Sequence, residues 1–151
     1  MKRFKKIGLL LLVVFILLQF IPTHQNKSNE VLASDFNLYF DTPTEIAKKI
    51  KVSCYDCHSN NTNYPWYNKV QPVAWFLENH IKEAKEELNF SEFGNYSKRK
   101  QKSKLKHFYN EIEKGKMPLF SYTLIHSNAK LSKAETKKML KWINELKNKI
   151  K

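Results

Sequence analysis

Apolar side chains fall into two patterns along this chain. From Ile7 to Ile21 they form a nearly continuous run, preceded by Lys2, Arg3, Lys5 and Lys6 and closed by Pro22. Residues Asn26 to Ser34 are mostly polar and carry no repeat, which reads as a tether. Beyond it the apolar positions recur every three or four residues, the period of helices with one buried face. Phe36, Leu38, Tyr39 and Phe40 form a lead-in that packs on the domain. Thr42-Pro43-Thr44-Glu45 then reads as a helix start, with a capping hydroxyl, proline at the first helical position and glutamate three after the cap. That helix runs from Pro43 to about Lys51 and buries Ile46, Ala47 and Ile50. A second, from about Pro72 to Leu88, buries Val73, Phe76, Leu77, His80, Ile81, Ala84 and Leu88. A third, from about Lys98 to Lys114, buries Leu105, Phe108, Tyr109 and Ile112 and ends at Gly115. The last is introduced by Ser132 and Glu135, a capping box, and buries Met139, Trp142, Ile143, Leu146 and Ile150. These elements predict an all-α domain.

Composition agrees with the pattern and narrows it. The chain has 151 residues with only three glycines, too few for a turn-rich β fold, and its lysine and glutamate stretches favour helix. The formal net charge of +13 raises nucleic acid as a partner. The lysines, however, are scattered over every helix instead of forming one stripe interleaved with aromatics, which excludes that class. The charge reads as a solvated surface that attracts acidic proteins or anionic headgroups.

The chemistry is concentrated in Cys54-Tyr55-Asp56-Cys57-His58, which contains the only two cysteines. Two thiols three apart with histidine next form the attachment motif of a c-type haem. One helical turn brings both sulfurs to one side of the backbone, where each forms a thioether with a haem vinyl group, and His58 offers a ring nitrogen to the iron. A thiol redox pair would sit between a strand and a helix, which the pattern does not provide. Structural zinc would need a fourth ligand beyond Cys54, Cys57 and His58. The expected cofactor is one covalent haem c.

A second axial ligand closes the iron for electron transfer. Met117 stands about 60 residues after the motif, past a helix end and before Pro118, in backbone that proline holds extended. A thioether there stabilises ferrous iron. The alternatives are His80 on the second helix and His126 in a loop; His24 in the tether and His107, off its helix's apolar face, are weaker, and Met139 reads as core. The aromatic run Tyr64-Pro65-Trp66-Tyr67 has two readings, cover for a porphyrin or ordinary core.

The basic head and apolar run of residues 1–22 read as a signal sequence or membrane anchor, the anchor slightly favoured because no small-x-small cleavage site follows closely; Val31-Leu32-Ala33 is the nearest candidate. Residues 23–35 are then the tether and 36–151 the haem domain, placed outside the cytoplasm, periplasmic and held at the inner membrane. This location suits covalent haem, and two cysteines that close so small a loop staple little as a disulfide.

With the motif, the Met117-Pro118 pair and the closing helix bearing Trp142, the domain resembles a mono-haem class I cytochrome c. The run from Val52 through Trp75 is similar to the haem-binding domain family of small exported bacterial proteins, a likeness covering about residues 36–148. The resemblance implies a cytochrome c-like helical domain around one covalent haem. The insertion between motif and Met117 is longer than in ordinary class I cytochromes. The expected function is single-electron transfer with redox proteins, an electron carrier rather than an enzyme. The rival is a haem sensor or peroxidase-like enzyme with an open sixth position.

Overall fold

The computed structural model describes residues 2–28 and 30–150. Among the described residues seven α-helices follow one another: α1 Lys2–Leu18, α2 Phe36–Tyr39, α3 Thr44–His58, α4 Val73–Glu87, α5 Lys98–Glu113, α6 Phe120–Ile125 and α7 Lys133–Lys149. Short 3-10 turns occupy Trp66–Lys69, Phe90–Asn95 and Ser127–Ala129. Among the described residues there is no strand, only an isolated antiparallel bridge between Lys27 and Asn61.

α5 packs along α7 and α3 along α4. Phe36, Phe90, Phe93, Leu105, Phe108, Met139 and Ile143 fill the space between them. Phe36 is fully buried at the centre, meeting Phe40, Phe90, Phe93, Phe108 and Trp142 edge-on. Edge-to-face rings place the positive rim of one against the negative face of the next. The predicted lead-in is thus the keystone of the core, although Leu38 beside it is exposed.

Three helix expectations change. α3 does not stop near Lys51 but continues through the motif to His58. Its start is not the predicted box: Pro43 is the cap, no side chain caps the helix, and Glu45 instead pairs with Lys138 of α7. On α4 the buried positions are Ala74 and Ile81, while Val73 and Phe76 face outward. The stripe read from the sequence therefore mixes the helix's two faces. The box on α7 forms as expected, Ser132 Oγ accepting from the Glu135 amide and Glu135 from the Ser132 amide.

The N-terminal run is a 17-residue helix, α1, with its apolar side chains exposed. At 1.5 Å per residue it is about 26 Å long, and its first turn is basic. Bilayer hydrocarbon is about 30 Å thick. Among the described residues no helix is long and apolar enough to cross a membrane. Asn26 and Ser28 bond to the loop just after the motif, and Asp35 caps α2.

Candidate functional site

The motif lies in the last turn of α3. At 100° per residue Cys54 and His58 share a face and Cys57 stands beside them. The residues between the cysteines hold this turn in place. Tyr55 stacks on Phe90 and donates to Asp35 Oδ1 at 2.9 Å, and Asp56 Oδ2 accepts from Tyr122 at 2.7 Å. One turn earlier, Ser53 donates to the Ala129 carbonyl at 2.7 Å.

His58 Nδ1 lies 2.9 Å from the carbonyl oxygen of Leu88. A carbonyl only accepts, so Nδ1 carries the proton and Nε2 of the neutral ring keeps its lone pair. Burial holds the ring's pKa below its ordinary value, overriding the Leu88 and Ala84 carbonyls; the nearby charge of His80 acts in the same direction as burial. A neutral imidazole with its second nitrogen fixed by a carbonyl is what an iron-ligating histidine requires.

A cavity of about 310 Å³ opens between α3, the end of α4, α5 and the turn after α5. Cys54, His58 and Met117 all line it, with Leu88, Phe90 and Phe108 as apolar wall. Met117 arrives through a reversal at the end of α5. Gly115 adopts φ +65°, and the amides of Lys116 and Met117 both return to the Glu111 carbonyl. This left-handed step brings the methionine back beside the last turn of α5. A wider groove of about 700 Å³ between residues 22–26 and α4, which includes His24, has none of these donors.

The two cysteines are free thiols. Burial, with the neighbouring Cys57 adding to it, pushes Cys54 up to about 12; burial, with Asp56 adding, pushes Cys57 up to about 11. Redox-active pairs and zinc ligands need the opposite, an easily formed thiolate. Among the described residues no group of three or more His, Cys, Asp or Glu side chains is arranged to hold a metal ion. Cys57 lies on the flank towards Tyr67 and Tyr122, whose phenols are shifted upward by burial first and by Cys57 second or later.

The other sequence candidates are elsewhere. His126 places Nε2 at 3.1 Å from the Tyr67 hydroxyl and stacks on Tyr122 at 4.4 Å, outside the cavity. His80 stacks on the exposed Phe76 and does not line the cavity. Trp66 is exposed and Tyr64 is bonded to Asn26 and Glu78, so the aromatic run does not wall this cavity. His107 does line it, together with Lys104 and Glu111 of the same helix. The sequence marked His107 only as lying off the apolar face; its spacing to Glu111 shows which residues share its flank but not what that flank meets.

An imidazole with a free lone pair, a thiol on the same helical face, a thioether across the cavity and an apolar wall form a donor set that fits a haem. No curated protein and no solved structure gives a significant match. Residues 13–145, most of the chain, match the haem-binding domain family, whose span includes the whole motif and the Met117 turn. The chain belongs to the haem-binding domain family.

Proposed function

We propose that this haem-binding protein is a cytochrome c-like single-electron carrier working outside the cytoplasm. The observation that carries the reading is the fixed tautomer of His58, with Nε2 unprotonated in a cavity that also holds Cys54 and Met117. Cys54 and Cys57 would hold one haem c through thioethers, and His58 and Met117 would supply a nitrogen and a sulfur to its iron. When bound, the haem supplies a one-electron couple. The chain's own part is to keep His58 neutral and oriented, to present a soft sulfur from the Gly115 turn, and to surround the site with Leu88, Phe90 and Phe108. Its lysine-rich surface suits acidic redox partners, and the exposed apolar α1 suits lipid contact.

The test is optical. The oxidised protein is expected to show the weak far-red band of methionine sulfur on ferric haem, and Met117→Ala to lose it. Persistence of the band in that variant refutes Met117. A second arrangement follows from the lining of the cavity, where His107 offers a nitrogen. If wild type has no sulfur band and His107→Ala turns a low-spin spectrum high-spin, His107 is the ligand. Prompt carbon monoxide binding by reduced wild-type protein would support the open-site sensor or peroxidase reading.

A further inference from the structure

We infer that Asn26–Ser28 is a structural part of the haem domain, clamping the loop that follows His58, and that maturation leaves this segment in the chain. Asn26 uses every polar group it has on that loop and its surroundings. Its amide donates to the Tyr64 hydroxyl at 2.6 Å, and its carbonyl accepts from the Thr62 amide at 3.0 Å. Its side-chain Nδ2 donates to the Ser59 carbonyl at 2.7 Å and to Thr62 Oγ1 at 2.9 Å, while Oδ1 accepts from Lys85 at 2.6 Å. Two residues on, the Ser28 amide donates to the Asn60 carbonyl at 3.1 Å and to Asn61 Oδ1 at 3.0 Å.

The loop needs these partners. Ser59, directly after His58, is 1% exposed and Thr62 is 6% exposed. A buried carbonyl or amide deprived of its partner does not recover it from water. Thr62 also donates from Oγ1 to the Asp56 carbonyl at 2.7 Å, so the clamp reaches back into the motif itself. A cut after Ala33, at the small-residue site closest to the apolar run, would remove all of Asn26–Ser28 and take away the partners of the Ser59 carbonyl and the Thr62 amide. Cleavage, if it occurs, therefore falls upstream of Asn26. The processing half of this inference rests on the export reading above; the clamp itself does not.

Two measurements on the full chain test it. Intact mass of the protein from the membrane fraction, made alongside haem-attachment machinery, reports the first residue and the haem increment separately. A chain that retains Asn26 is expected; one starting at residue 34, or anywhere after Asn26, overturns the inference. Missing haem mass on a chain that retains Asn26 would refute covalent attachment and leave the clamp standing. The second measurement is amide exchange in Asn26→Asp, which keeps the shape and the Lys85 partner but cannot donate to Ser59 or Thr62, and in Asn26→Ala. Protection at Thr62 is expected to fall about tenfold or more in both, the factor that accompanies loss of one or two buried hydrogen bonds, with α7 amides unchanged. Unaltered protection at Thr62 in both variants overturns the clamp.

Discussion

Leu88 reaches His58 because α4 ends one residue earlier. At φ −155° and ψ 120° Leu88 is extended, so its carbonyl points out of the helix and is free to accept from Nδ1. Burial likewise keeps the two thiols protonated. Under the covalent reading, Cys54→Ser or Cys57→Ser alone leaves one thioether, so colour stays with the polypeptide in acid-acetone. The double variant is expected to release all of it, and colour retained in the double variant would refute attachment at these two residues. Cys54, Cys57 and His58 could be put forward from the sequence because attachment chemistry needs neighbours in one turn of chain, and neighbours in sequence are visible without a fold. Met117 was legible more weakly, as a methionine on non-helical backbone before proline, and the structure brings it to the same cavity. His107 was not legible, since its significance depends on which helix lies across from its flank.

At the scale of elements, local rules succeeded where the contact partners are close in sequence. The α7 box joins residues three apart, and Ser132→Ala is expected to cost about 1 kcal/mol, seen as a thermal midpoint about 2–4 °C lower. Acid weakens the same box. The Ser132 amide and hydroxyl, and then Lys49, hold the Glu135 carboxylate below the ordinary glutamate value. Its contribution is present above that ordinary value and fades as pH falls through the lowered one. Two glycines are held by geometry. Gly115 has open space around it, so Gly115→Ala meets only the left-handed backbone penalty of roughly 1–2 kcal/mol. Gly94 sits where an added Cβ would lie 2.8 Å from the Tyr39 ring and 3.0 Å from the Ser34 backbone. Gly94→Ala is expected to lose about 1–3 kcal/mol in denaturant titration, and an unchanged midpoint would refute the close approach. The sequence missed α6 because its six residues bury none of their own side chains. It misjudged the cap of α3, where no side chain caps the helix and Glu45 pairs instead with Lys138, far along the chain.

Across the whole molecule the core is organised by Phe36, a residue outside every long helix. Phe36→Ala removes a ring that touches five others, and a loss of about 3–5 kcal/mol is expected, read as a lower denaturant midpoint at constant slope. A loss under 1 kcal/mol would mean the cluster closes without it. The sequence by itself determined the helical class and the extents of α4, α5 and α7, and it put forward the three residues of the motif, because periodicity, capping and attachment chemistry act over a few residues. Only the tertiary structure decided that Leu88 fixes the His58 tautomer, that Met117 and His107 share its cavity, and that residues 26–28 hold the loop behind it. Each of these depends on groups tens of residues apart meeting at hydrogen-bond or van der Waals distance, and that is set by how the helices pack.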